Sequence, residues 1–339
     1  IKKALALGAH GLHLKAAFSP MIRVAGTVKR LEYPPIAPKE METLVYELLE
    51  KKYMGAFKAK GQVDFSIEFP NLIRARANIF FQRNSLALSL RLIPAMPPAL
   101  EKIGFPLDII ELILKINRGR ILITGATNAG KSTTAASLLA ALASEGGVHI
   151  ISIEDPIEYV FPVYQNSIIS QRQVGEDCPS FPAGLTSALR QDPDVLFIGE
   201  LRDQETVETA LKAAETGHLV IGTLHTASAV QSILRLINIF PSHQRDSVRF
   251  MLSSSLKLVI SQALIPQIDR KGRVLAYEIL PMLPSVCNLI RQKKIHEIAS
   301  LLRVGRRSGC VPMISTLKDL IKTGQILPAD VPIELREEA

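Results

Sequence analysis

Ile121-Leu122-Ile123-Thr124-Gly125-Ala126-Thr127-Asn128-Ala129-Gly130-Lys131-Ser132-Thr133 is the stretch on which the fold turns. An uncharged apolar run enters a G-x-x-x-x-G-K-[ST] loop, and residues 133–144, rich in Ala and Leu, read as the helix that follows. The two glycines let backbone N–H groups curl around phosphate oxygens, Lys131 reaches the β- and γ-phosphates, and the Ser132 hydroxyl can hold Mg²⁺. Strand, loop and helix in that order point a helix N-terminus at the anion. Gly125, Thr127, Asn128, Ala129, Gly130, Lys131, Ser132 and Thr133 are therefore the candidate nucleotide-binding residues, with ATP and Mg²⁺ as the expected ligands.

Working outward, three further apolar runs end in polar groups. Residues 148–153 lead into Glu154-Asp155-Pro156-Ile157-Glu158, Val195–Ile198 leads into Gly199-Glu200, and Leu219–Leu224 leads into His225. Short, wholly apolar strands alternating with helices predict an α/β fold with a parallel sheet buried on both faces. Ligands of such sheets lie beyond the carboxyl ends of the strands, so these groups are expected to converge on the phosphate loop. Glu200 is the candidate to orient and deprotonate the attacking water, against the alternative of an exposed strand-end acid. Glu154, Asp155 and Glu158 are candidates to hold Mg²⁺ through water or to position the nucleophile, at least one of them being instead a cap or loop bond. His225 can sense or stabilise γ-phosphate charge. His218 is a second candidate, but it follows Gly217, the stop of a helix over 204–216 with Asp203 as N-cap, so it also fits as a helix-end partner.

Residues 1–93 read as a small α+β domain. Strands are expected at Leu12-His13-Leu14, Met21–Val24 and 27–29 with a turn at Gly26, then a helix over 38–52 with Met41, Leu44, Val45, Leu48 and Leu49 on one face. Residues 63–69, Ile73–Gln82 and Ser85–Ile93 alternate as in an antiparallel sheet with one solvated face. Pro94-Ala95-Met96-Pro97-Pro98 can continue neither a helix nor a central strand, which makes 94–105 a linker, 106–284 the nucleotide-binding domain and 285–339 a helical region with helices at 286–303 and 314–323.

The 339 residues suit about two domains at roughly 100–200 residues each. There is no apolar run of about 18 residues, so no membrane-spanning helix is expected. The apolar stretch at Ile1-Lys2-Lys3-Ala4-Leu5-Ala6-Leu7-Gly8 is too short for a secretory leader, and without an initiating Met residues are expected ahead of Ile1. Cys178, Cys287 and Cys310 are odd in number and widely spaced, which excludes a disulfide framework and a four-cysteine zinc site and points to a reducing cytoplasm. The net charge of +8 raises the question of polyanions. With no Trp and no basic block longer than Arg306-Arg307 or Lys293-Lys294, a stable nucleic-acid partner is not expected, and a nucleic-acid translocase is kept only as an alternative.

Four stretches in order, 125–133, 151–159, 189–203 and 216–226, resemble the Walker A, Asp, Walker B and His boxes of the bacterial type II/IV secretion ATPase superfamily. Within it the chain is most similar to the PilT family, hexameric motors that retract type IV pili. Val63-Asp64-Phe65-Ser66, residues 74–78 and Arg91-Leu92-Ile93-Pro94 extend the likeness, and the four-cysteine insertion of the assembly and secretion relatives is missing. The resemblance implies a PAS-like first domain and a RecA-like P-loop domain. It also implies a homohexamer with ATP at its subunit boundaries, ATP hydrolysis coupled to twitching motility, and an inner-membrane pilus platform protein as partner. The location it implies is cytoplasmic, peripheral to the inner membrane. Small-domain arginines approach the nucleotide in such rings, and Arg74, Arg76, Arg83 and Arg91 are the candidates, unless they only alternate on a solvated sheet face. Arg190 and Arg202 flank the Walker B box. Asn128 stands at a usual P-loop glycine, and His10-Gly11 stands where Ser-Asp usually precedes Leu-His-Leu. The motif tied to retraction reads Ser285-Val286-Cys287-Asn288-Leu289-Ile290-Arg291-Gln292, with Cys287 and Gln292 replacing an arginine and a glutamate. These departures keep open a PilT-like paralogue with a regulatory or weak ATPase role.

Overall fold

The computed structural model describes the chain except residues 25–26, 70–71, 94–95, 271 and 337–339; the expected turn at Gly26 and the expected linker's Pro94 and Ala95 therefore lie outside the described residues. The chain divides into two compact units. One comprises Ile1–Met96 with Glu158–Val160 and Arg270–Gly272, the other Pro97–Ile157, Phe161–Asp269 and Arg273–Ala339.

In the first unit, β1 (Gly11–Lys15), β2 (Met21–Val24), β3 (Thr27–Arg30), β4 (Gln62–Phe69), β5 (Ile73–Gln82) and β6 (Ser85–Ile93) form a sheet in the order β3-β2-β1-β6-β5-β4. Every pairing is antiparallel. Period-2 alternation buries Leu12, Ile22, Ala75, Ala77, Ile79, Leu88 and Leu90 against Met41, Val45 and Phe57. The other face carries Arg23, Arg74, Arg76 and Arg91. The helix expected over 38–52 is two helices, Pro38–Leu48 and Lys51–Lys60, separated at Leu49 and Glu50, both in extended conformation. Geometry explains the break: at 100° per residue a straight helix would turn Phe57 about 160° away from Met41, and the break returns both to one core.

The second unit is built on β7 (Gly119–Thr124), β8 (His149–Glu154), β9 (Ile168–Gln173), β10 (Val195–Ile198), β11 (Leu219–Leu224), β12 (Leu256–Pro266) and β13 (Arg273–Pro281). They run in the order β13-β12-β7-β11-β10-β8-β9, all parallel except for the antiparallel β12–β13 pair. All residues of β7, β10 and β11 are buried. Their alternate side chains feed two separate cores: Leu122, Leu196, Ile198 and Val220 pack with the helices on one face, while Ile121, Ile123, Val195, Phe197 and Ile221 pack with helices Leu107–Leu114 and Lys131–Glu145 on the other. The sheet is thus larger and less uniformly parallel than expected, because β9, β12 and β13 are added to the four anticipated strands. The helix expected over 286–303 is broken after Pro284–Arg291, where Lys293 takes φ 66°, and resumes as Ile298–Val304. That turn lets Val286, Ile290, Ile295, Ile298 and Leu302 share one core.

Arg120 on β7 is only 1% exposed. Its Nη2 donates to Leu211 O (3.3 Å) and Ser255 Oγ (3.0 Å), its Nε has no partner, and no carboxylate bonds it among the described residues. Burial pulls its pKa down to about 9, with Glu215 opposing. A buried cation held this way adds little to stability, whereas the volume it fills adds more. Calorimetry should therefore find Arg120→Met melting at or ~2–4 °C above wild type and Arg120→Ala roughly 5 °C or more below it; equal losses would show that the guanidinium bonds themselves are required.

Candidate active site

Register brings the expected residues to one edge of the second unit's sheet. Thr124 pairs with Leu224, and Ile198 pairs with Gly222 on one side and Ile153 on the other. The chain therefore leaves β7 at Gly125, β11 at His225, β10 at Gly199-Glu200 and β8 at Glu154 within about two residues of one level. Two further bonds tie the β10 exit to β11: Leu201 N to Thr223 O (3.0 Å), and the Thr223 hydroxyl to Gly199 O.

The loop 125–130 has glycine where nothing else fits. Gly125 has φ 150°, and a Cβ there would lie 2.4 Å from Gln262 O; Gly130, at φ 88°, starts the helix Lys131–Glu145. Asn128 takes φ 65°, a left-handed conformation that asparagine tolerates better than most residues, which accounts for its standing at a glycine position. Lys131 is 8% exposed. Its Nζ donates to Gly125 O (2.8 Å) and Ala126 O (2.9 Å) and lies 3.2 Å from His225 Nδ1.

An ammonium can only donate, so His225 Nδ1 accepts and the ring proton sits on Nε2. That nitrogen faces Glu200 Oε1 at 3.5 Å, and Arg202 Nε approaches the same oxygen at 3.7 Å. Burial and then Lys131 hold His225 below the usual histidine range, Arg202 adding to the effect and Glu200 opposing it. Three of the four sequence boxes thus join in one chain of contacts, Lys131–His225–Glu200.

The fourth box is represented by Glu154, which is buried and accepts from Ser152 Oγ (2.7 Å) and Gln171 Nε2 (3.1 Å), both at Oε1. Asp155 is exposed beside it, and Glu158 groups with the first unit. Thr127 is exposed, while Ser132 and Thr133 are half-buried in the first turn of the helix. Among the described residues no three ligating side chains cluster.

His218 is not brought to this edge. It precedes β11 whereas His225 follows it, a separation of about 20 Å along the strand. Its Nδ1 lies 3.0 Å from Ala213 O and from Thr216 Oγ1, at the end of helix Gln204–Glu215. The helix-end role is the one it has in this chain. Asp203 caps the other end of that helix, accepting from Thr206 N at 2.8 Å.

The arginine candidates belong to the first unit. Arg74, Arg76 and Arg91 alternate on the polar sheet face, Arg76 directly opposite Arg91, an unfavourable like-charge pair unless an anion joins it. Arg83 lies in the β5–β6 turn at φ 46° and is exposed, as is Arg190 in the second unit. Sequence reading missed Ser261, Gln262 and Arg273. Thr124 Oγ1 donates to Ser261 Oγ (2.9 Å), Gln262 Nε2 to Ala129 O (2.7 Å) and Arg273 Nη1 to Asn128 O (3.2 Å). The available signal was the polar pair Ser261-Gln262 inside the apolar run 258–265.

Against known proteins, the family described as type II/IV secretion system protein matches residues 61–316. The chain belongs to that family. Within the type II/IV secretion family it is a PilT-type member: the type IV pilus retractation ATPase PilT of Pseudomonas aeruginosa is 42% identical over 319 residues, spanning 94% of this chain and 92% of that protein. The crystal structure of the pilus retraction motor PilT with bound ADP superposes with a TM-score of 0.88 at 46% identity, covering 97% of this chain and 94% of that one. The ATPase DotB of Legionella pneumophila gives 0.86 at 28% identity, covering 97% and 92%.

The lowered pKa of His225 has a defined sign. The unfolded chain takes that proton near the ordinary histidine value of about 6.5, before the folded site does, so stability due to neutral His225 is complete above that value and is lost as pH falls through it. Without nucleotide, the melting-temperature difference between wild type and His225→Gln should therefore shrink from pH 7.5 to 5.5; a constant difference would show that burial and the neighbouring cations do not hold the imidazole neutral.

Proposed function

We propose that the protein is a Mg²⁺-dependent ATPase that works as a homohexamer and powers type IV pilus retraction. The observation that carries this reading is the contact chain from Lys131 through His225 to Glu200, which joins a phosphate-binding cation, a charge-sensing ring and a carboxylate at one sheet edge. Loop N–H groups and Lys131 bind the phosphates. Glu200 accepts the proton of the attacking water. His225 answers to charge on both sides, from Lys131 at Nδ1 and from Glu200 at Nε2, so it relays phosphate occupancy to the carboxylate. The Ser132 hydroxyl would hold Mg²⁺, which would offset charge on the phosphate oxygens. Glu154 and Asp155 would hold that ion through water, and Glu158 would position the nucleophile. Arg74, Arg76, Arg83 and Arg91 of a neighbouring subunit supply the positive charge that a transferring phosphoryl group requires.

This reading assigns residues 1–93 to a PAS-like domain, 94–105 to a linker, 106–284 to the RecA-like ATPase domain and 285–339 to a helical region. Among the described residues no helix is long and apolar enough to cross a membrane. The motor is cytoplasmic and reaches the inner membrane through a pilus platform protein.

A second reading, a PilT-like paralogue with an auxiliary role, is favoured by the altered retraction motif. Its remaining arginine, Arg291, donates from Nε to Ser253 Oγ (2.7 Å) and lies over the Phe250 ring, while Cys287 Sγ donates to Met282 O at 3.8 Å. ATP turnover should fall by about 10²-fold or more in both Lys131→Ala and Glu200→Gln; unchanged turnover in Glu200→Gln would remove its role as base. Deleting the gene separates the two readings: excess pili without twitching identifies the retraction motor, and normal twitching identifies the paralogue.

A further inference from the structure

Residue 262 touches both ends of the phosphate loop. Its backbone carbonyl closes the space beside Gly125, where a Cβ would stand 2.4 Å away, and its side-chain Nε2 lies 3.2 Å from where a Cβ on Gly130 would be. The same Nε2 donates to Ala129 O at 2.7 Å, and the residue is 2% exposed. Chemistry fixes this orientation of the amide, because the reverse would set two acceptors against each other. Among the described residues its Oε1 is buried without a hydrogen-bond partner. An orphaned buried acceptor disfavours folding, so a residue present only to fill space would be better as leucine.

We propose that Gln262 is a positioning residue for nucleotide binding, holding the Ala129 carbonyl so that the N–H of Gly130 faces the phosphates. The step follows from the trans peptide: the carbonyl of residue 129 and the N–H of residue 130 belong to one planar unit and point in opposite directions. Pulling the carbonyl toward β12 therefore aims the N–H into the cradle. Arg273, exposed at the start of β13, takes the preceding carbonyl, Asn128 O, at 3.2 Å. The β12–β13 hairpin thus grips two consecutive carbonyls of the loop. Ala129 N is already used by Ala126 O at 3.1 Å, which leaves the Gly130 N–H as the donor that Gln262 controls. That donor meets phosphate equally in substrate and transition state, so its loss belongs in KM rather than in kcat.

The inference rests on residues 125–133 being the nucleotide site. The test combines titration with a fluorescent ADP, steady-state ATP hydrolysis and thermal unfolding. In Gln262→Leu, the ADP dissociation constant and the ATP KM should each rise about tenfold, the size expected for one lost hydrogen bond. Its kcat should stay within about threefold of wild type, and the melting temperature of the unliganded protein should stay close to wild type, since the orphaned Oε1 is gone while Ala129 O loses its donor. Gln262→His keeps a ring N–H donor at similar reach and should recover most of the affinity. Arg273→Ala, an exposed change with little bearing on folding, should weaken ADP about threefold. Wild-type affinity in Gln262→Leu, no recovery in Gln262→His, or wild-type affinity in Arg273→Ala would each overturn the proposal. Failure of wild-type protein to bind ADP would instead overturn the assignment of the loop itself, and the proposal with it.

Discussion

A single ammonium group organises the site. Lys131 is nearly buried, so its charge must be met by acceptors, and it finds them in two loop carbonyls and the imidazole of His225. Those bonds pin the loop's carbonyls, fix the His225 tautomer and thereby settle which ring nitrogen faces Glu200. A charge at this position also has to be compatible with the strands beneath it. They are, because the strand ends lie within about two residues of one level and supply short polar exits from a sheet whose interior is mostly apolar.

The two-sided burial of that sheet gives the exits their precision. Alternate residues of β7, β10 and β11 lock into separate cores above and below, so a shift of one residue in register would bury wrong side chains on both faces. The β12–β13 hairpin adds a further constraint from the flank: Ser261 meets Thr124, Gln262 meets Ala129, and Glu278 accepts from Ala229 N at 2.8 Å where the helix after His225 begins. The phosphate loop and the histidine segment are thus braced by one structural element. The first unit follows another logic, a sheet with one core face and one polar face, on which cross-strand arginines stand together and call for an anion.

Much of this was legible in the sequence wherever local pattern and tertiary need agree. The apolar runs before Gly125, Glu200 and His225 could only be buried strands, and their common level follows from parallel pairing. Asp203 and Gly217 marked a helix because capping is local. His218 stands just before the run Leu219–Leu224, so its place at the amino end of that strand, away from His225, was already legible. What escaped reading depended on distant partners. The breaks at Leu49–Glu50 and near Lys293 arise from rotating later residues back toward a core, not from proline or glycine. Gln262 is recognised only once β12 lies against the loop, more than 130 residues away in the chain. Even Asn128, odd as a motif residue, became understandable only with its backbone angle.

The central claim is that His225 and Glu200 act as one unit rather than as two independent neighbours. A double-mutant cycle on ATP turnover with His225→Ala, Glu200→Gln and the combined variant measures this directly. The contact at 3.5 Å predicts that the double variant is barely slower than the more damaged single variant. Losses that multiply, each substitution slowing turnover by the same factor whether or not the other is present, would contradict it.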